Sequence, residues 1–178
     1  ASHRLSAQLK KAEIKTVQEF LKKVDIVFEA ASQEAVAVHG ERILSNGCDL
    51  LVMSVGALAD SELYNRLLGT GGSGRLLIPS GAIGGLDALL ACREANVEVV
   101  ELTTLKPPKG LMGNEYVVEM FGDLRRLSEP MIVFEGTARD AVRRFPRNIN
   151  VAAALSLAGI GFEKTMVKII ADPTIDSN

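Results

Sequence analysis

The chain contains no tryptophan and only two tyrosines among 178 residues. Without large flat rings, a broad platform for stacked bases is excluded. Charge of one sign is also lacking: 20 Lys and Arg stand against 22 Asp and Glu, for a net charge of -2 and a pI near 5.8. A general nucleic-acid surface needs a basic field, and this balance does not supply one. The basic clusters Lys10-Lys11, Arg125-Arg126 and 139–147 are short and mixed with acids, so they read as solvated helix faces. Cysteine is scarce. Cys48 and Cys92 have no metal-ligand spacing and stand in apolar sequence, which predicts two free core thiols in a reducing compartment. The patterns H-x-x-x-H and C-x-x-C are missing, so no metal site is expected. No apolar run approaches the ~20 residues that span a bilayer. The start, Ala1-Ser-His-Arg4, has no hydrophobic segment behind it and does not read as a secretion signal. These absences predict a cytoplasmic protein with no membrane and no nucleic-acid partner. What is present is 47% apolar and 24% charged residues, the balance of one ordinary domain or two small ones.

The first half of the chain alternates strand and helix signals. After a possible short strand at 14–17 and helical patterns at 5–11 and 17–22, a strand is expected over 24–28. A helix follows, from Ser32 as N-cap to Asn46-Gly47. A continuous apolar strand covers 50–53, Asp60 caps a helix over 61–68 that ends at Gly69, and a third strand covers 76–78. Strands that are apolar throughout and separated by helices indicate a parallel sheet of Rossmann type. Ligands of such sheets sit beyond the carboxyl ends of the strands. Those ends, 29–32, 54–57 and 79–84, are rich in small residues.

The third of these ends is the most distinctive. Ile78-Pro-Ser-Gly-Ala-Ile-Gly-Gly-Leu-Asp87 joins a strand to a helix with Gly81, Gly84 and Gly85 close together. Such a turn brings bare backbone amides near a ligand and favours an anionic or strongly polar group. A dinucleotide unit normally opens with G-x-G-x-x-G after its first strand, and none precedes Val24. Gly69-Thr-Gly-Gly-Ser-Gly74 follows a helix and precedes a strand, the reverse order, and reads as a flexible surface connection. The sheet is therefore expected to be partial and the chain to be a piece of a longer one, since a partial sheet leaves an uncovered edge.

Beyond 86–92 the texture changes. The loosely alternating run 97–104 leads into Lys106-Pro107-Pro108-Lys109-Gly110. Strands over 131–134 and 165–171, with helices over 138–145 and 151–157, predict a second α/β layer of α+β kind with a mixed sheet. The expected division is 1–84 and 85–178, with its boundary near Gly84-Gly85.

Several residues are candidates for chemistry. His3 is terminal and His39 mid-helix, and neither neighbours a paired acid, so no histidine base is evident. Lys106 and Lys109 flank two prolines. They form either a stiff solvent loop or a cation held for a substrate carboxylate. Arg139 and Arg143 share a helix face and either pair with Glu135 or Asp140 or face an acidic ligand. Asn148 and Asn150 precede a helix. Asn150 is either its N-cap or an amide that donates to and accepts from a ligand carboxamide.

Taken together, several runs resemble the L-aspartate dehydrogenase family. They are Glu29-Ala-Ala-Ser-Gln33, Val52-Met-Ser-Val-Gly-Ala57, the Ile78–Asp87 elbow, Thr103-Thr-Leu-Lys-Pro-Pro108 and Phe145-Pro-Arg-Asn-Ile-Asn-Val-Ala-Ala-Ala154. Ser156-Leu-Ala-Gly-Ile-Gly161 and Ala171-Asp-Pro173 continue the likeness in the same order. The resemblance implies a partial Rossmann domain followed by an α/β catalytic domain, usually in a homodimer. It implies NAD- or NADP-dependent interconversion of L-aspartate and iminoaspartate, or oxaloacetate plus ammonia, feeding NAD biosynthesis. It also places cofactor contacts at Ala82 and Asn150, with Gly81 beside the first of these and Ala31 and Ser32 near the nicotinamide ribose. Lys106 is the expected substrate-carboxylate contact. Two departures accompany the resemblance. The family's glycine-rich turn would lie upstream of Ala1 and its catalytic histidine two residues beyond Asn178, and neither His3 nor His39 matches it. The isolated 178 residues are thus expected to have little dehydrogenase activity. The alternatives are a related reductase of another amino or imino acid, and a non-catalytic dimerising or cofactor-sensing module.

Overall fold

The computed structural model describes residues 16–146 and 149–176. The helix expected at 5–11, the first half of the strand expected at 14–17, and His3, Asn148 and Asn178 lie outside the described residues. A short helix α1 (Val17–Phe20) leads to the first sheet. That sheet holds β1 (Ile26–Glu29), β2 (Asp49–Val52) and β3 (Leu76–Leu77), parallel and in the order β1-β2-β3. Phe28 pairs in register with Leu51, and Leu51 with Leu77.

Helix α2 (Gln33–Ser45) begins where predicted, with the Ser32 hydroxyl accepting from the Ala35 N–H at 3.1 Å. It buries Val36, Ile43 and Leu44 over Leu50 and Val52. Gly40 makes this closeness possible, because a Cβ there would lie 2.7 Å from Leu67 Cδ2 and 3.4 Å from Leu50 Cδ2. Helix α3 (Ser61–Leu68) is capped by Asp60, which accepts from the Glu62 and Leu63 amides. Between β2 and α3 the expected loop is a 3-10 turn, Val55–Ala59, buried throughout. The opposite face of the sheet is open: Phe28 is 66% exposed.

The glycine run after α3 is a packed strap and not a flexible connection. A Cβ on Gly72 would sit 2.2 Å from the Leu44 carbonyl oxygen, and one on Gly74 2.2 Å from that of Cys48. Arg75 then binds Asp49 at 2.6 Å, closing the strap onto β2. Cys48 is buried with its Sγ 3.2 Å from the Val24 carbonyl, but Cys92 is exposed, against the expectation of two core thiols. The apolar sequence around Cys92 belongs to α4 (Leu86–Ala91), which buries none of its residues fully.

The second sheet is mixed, as expected. In it β4 (Val100–Lys106) lies parallel to β6 (Thr165–Ala171), and β5 (Met131–Thr137) runs antiparallel on the other side of β6. Short helices α5 (Pro108–Leu111) and α6 (Glu115–Phe121) follow β4. Helices α7 (Ala138–Arg144) and α8 (Asn150–Ala158) follow β5. The few aromatic residues concentrate here. Tyr116 meets Phe121, Phe134 and Phe145 edge-on, and Phe134 meets Phe145 edge-on with ring centroids 5.5 Å apart. Buried apolar residues from Leu21 to Ala171 form one contiguous cluster that includes members of both sheets.

Candidate functional site

The carboxyl edge of the parallel sheet gathers the candidate residues because parallel strands all end on the same side. β1 ends in Glu29, a carboxylate only 8% exposed. Its Oε1 accepts from the Ala31 N–H at 2.7 Å, the Ser32 N–H at 2.9 Å and the Ser54 hydroxyl at 3.0 Å. Its Oε2 accepts from the Ser54 N–H at 2.9 Å. Ala31 and Ser32 are therefore held in place by a side chain that the sequence reading passed over. The available signal was an acid closing the apolar strand Val24-Asp-Ile-Val-Phe-Glu29 just before Ala-Ala-Ser.

The next strand end reaches across to the second half of the chain. The Gly56 N–H donates to Asn150 Oδ1 at 3.2 Å, and Gln33 Nε2 donates to the Pro146 carbonyl at 2.9 Å. A Cβ on Gly56 would fall 2.4 Å from Gln33 Nε2, so any larger residue there would displace the Gln33 side chain. Asn150 is not the N-cap: Ile149 holds that position and Asn150 opens α8. One acceptor position of its oxygen is taken by Gly56, and the exposed amide keeps the second together with the Nδ2 hydrogens.

The elbow after β3 lies on the same edge of the sheet. Gly81 and Gly85 have φ of +64° and +79°, the left-handed region that a side chain disfavours. Gly81 and Ala82 are exposed, and a Cβ on Gly81, Gly84 or Gly85 would meet nothing within 4 Å. This surface admits a flat ligand at close range. Helix α4 has six residues and its N-cap is Gly85, so the elbow's contribution is access and shape more than a helix-terminal field.

Of the two places that its sequence allowed, Lys106 does not take the solvent loop. It is the last residue of β4, paired with Ala171, and is buried, so it is no part of a solvent loop. Its carbonyl accepts from the Asp172 N–H at 2.9 Å. Burial pushes the ammonium below its ordinary value of 10.5. Lys109 is exposed. Asp172 is buried too, and its Oδ1 is taken up by the Thr174 N–H and hydroxyl at 2.8 and 2.7 Å.

Arg139 pairs with neither of the acids that its sequence neighbourhood offered. Arg139 pairs with Glu163, donates to the Ala59 carbonyl, and stacks with its guanidinium 5.7 Å from the Phe162 ring centre. Glu135 instead binds Lys168 at 3.1 Å, across the strand pair, and Asp140 exchanges hydrogen bonds with Thr137 at the start of α7. Arg143 is exposed on the rim of a cavity of about 610 Å³ that also borders Gln33 and Gly56. His39 lies away from the strand ends, with Nδ1 3.2 Å from Arg42 Nη2. Among the described residues no cluster of His, Cys, Asp and Glu is arranged to hold a metal ion, and no helix is long and apolar enough to cross a membrane.

Three adjacent strand ends are thus lined by small residues, and Asn150 adds an exposed side-chain amide beside the second of them. The family description "Aspartate dehydrogenase, C-terminal" matches residues 87–178, and "Homoserine dehydrogenase, NAD binding domain" matches residues 1–72. The chain is 49% identical to an L-aspartate dehydrogenase of Methanosarcina mazei over 91% of its own length and 60% of the relative's. It is 47% identical to that of Methanosarcina acetivorans over 98% of its length and 66% of the relative's. It thus spans about three fifths to two thirds of these curated relatives. The crystal structure of aspartate dehydrogenase from Thermotoga maritima superposes with a TM-score of 0.75 at 36% identity, covering 93% of this chain and 63% of that one. The chain belongs to the aspartate dehydrogenase family.

Proposed function

We propose that the polypeptide carrying this chain is an NAD(P)-dependent L-aspartate dehydrogenase, oxidising L-aspartate to iminoaspartate, which water converts to oxaloacetate and ammonia. The observation that carries this reading is the hydrogen bond from Gly56 to Asn150, which joins the parallel-sheet crevice to the second unit. Family membership supports the choice of substrate. The dinucleotide supplies the acceptor for the hydride that leaves Cα.

The chain's own residues orient the reactants. Ala31 and Ser32 line the ribose side of the crevice, Gly81 and Ala82 allow the ligand close to the backbone, and Asn150 Nδ2 donates to it. Lys106, at the end of β4, meets one substrate carboxylate as a cation whose burial strengthens that attraction. The assignment divides the chain near Gly84-Gly85 into a nucleotide unit and a catalytic and dimerising unit. It places the whole protein in the cytoplasm as a homodimer, supplying iminoaspartate to NAD biosynthesis.

The test is a spectrophotometric assay of the full polypeptide with aspartate, glutamate, lysine and homoserine, each with NAD and with NADP. Preference for aspartate is expected. Because residues 1–72 match a homoserine dehydrogenase nucleotide domain, a preference for homoserine or another amino acid would replace this reading with a related oxidoreductase.

A further inference from the structure

We propose that Glu29 is an internal anion that fills the amide cradle at the first two strand ends and so reserves that part of the crevice for an uncharged portion of the dinucleotide. The ligand's identity rests on the function proposed above; the role of Glu29 rests on its own geometry. Strand-to-helix turns of parallel sheets present clustered backbone amides, the usual seat of a phosphate. Here those of Ala31, Ser32 and Ser54 all point at one carboxylate, at 2.7, 2.9 and 2.9 Å. The Ser54 hydroxyl adds a fourth donor at 3.0 Å.

A buried carboxylate is costly unless such donors surround it. With them in place, it becomes a fixed negative centre behind the turns. A phosphate approaching Ala31–Ser32 would meet engaged amides and like charge. A ribose hydroxyl or a carboxamide pays neither penalty. The same carboxylate also sets the spacing of the crevice. It ties the turn after β1 to the turn after β2, and the second turn continues to Gly56 and its bond with Asn150. Glu29 is therefore a positioning residue for the groups that contact the ligand.

Replacing it with alanine removes a fragment the size of acetate, which makes rescue the decisive readout. In the full polypeptide, Glu29→Ala should raise the dinucleotide KM about tenfold while the aspartate KM moves less than about threefold. Sodium acetate should restore the dinucleotide KM, and sodium chloride at equal ionic strength should not. Inorganic phosphate should become a competitive inhibitor against dinucleotide in the variant but not in the parent. A folded Glu29→Ala protein with the parental dinucleotide KM overturns the proposal, as does a raised KM that acetate leaves unchanged.

If that variant does not fold, Ser54→Ala removes one donor and leaves the carboxylate; a rise of about threefold is expected, and no change overturns the proposal. Direct titration of parent and variant with NAD, with and without acetate, needs no amino-acid substrate. Failure of aspartate oxidation thus stays distinguishable from failure of the Glu29 role. A parent that binds no dinucleotide overturns both.

Discussion

The two sheets carry their buried charges in opposite ways. In the parallel sheet, with strands of four, four and two residues, Glu29 is surrounded by hydrogen-bond donors from two neighbouring turns. In the mixed sheet, all three strands have seven residues, and Lys106 sits at a strand end where burial depresses its pKa. The difference extends to the cores. The first unit relies on glycines that let backbone lie on backbone, at Gly72 and Gly74. The second relies on aromatic rings meeting edge-on around Phe145. The lesson is that the parallel-sheet side is arranged by hydrogen bonds that fix loop positions, while the mixed-sheet side is arranged by a rigid packed layer with a buried cation at its edge.

That contrast is open to direct challenge, beginning with the largest expected effect. Phe145 is fully buried, so Phe145→Ala should destabilise the protein by about 3–5 kcal/mol through the cavity it leaves. Urea denaturation measures this, and a loss below about 1 kcal/mol would contradict the aromatic core as the main support of the second unit.

Next, Gly74→Ala should cost about 1–3 kcal/mol, because its Cβ meets a carbonyl that cannot rotate away. Gly81→Ala, with positive φ but open space, should cost only about 1 kcal/mol. Melting curves of the pair that coincide would remove the distinction between a packed strap and an open elbow.

The last challenge concerns Lys106. Lys106→Ala should raise the aspartate KM about tenfold, the value of one charge-assisted contact. The protonated ammonium is the binding form, and its pKa lies below 10.5. The aspartate KM should therefore be flat at lower pH and climb as pH rises through that depressed value. Lys106→Arg keeps its charge across the range, so its profile should retain only the titration of the substrate's own amine. Identical alkaline limbs for the parent and Lys106→Arg would refute the assignment.

Much of this architecture was legible before any coordinates. Ser32 and Asp60 announced two helix starts through their capping chemistry, and continuous apolar strands separated by helices announced the parallel sheet. The mixed second sheet was legible for the same reason: strand and turn signals are local. Site residues were legible only in part. For Asn150 the N-cap reading gave way to Ile149, and its tie to Gly56 was not legible because that partner is 94 positions away. Glu29 went unnoticed because an acid closing a strand looks solvated until the turn from Ser54 closes over it. The pairing of Arg139 with Glu163, in place of Glu135 or Asp140, likewise depended on how α7 meets the segment before β6.

The sequence by itself determined the main strands and helices and the sheet classes, since capping and periodicity act over a few residues. Only the tertiary structure decided which polar groups are already engaged. It turned a glycine run from a loose connection into a strap, moved Lys106 from a loop into a buried strand end, and tied Asn150 to Gly56. Each of these outcomes turns on whether a distant backbone group arrives within about 3 Å, the range over which a hydrogen bond has strength.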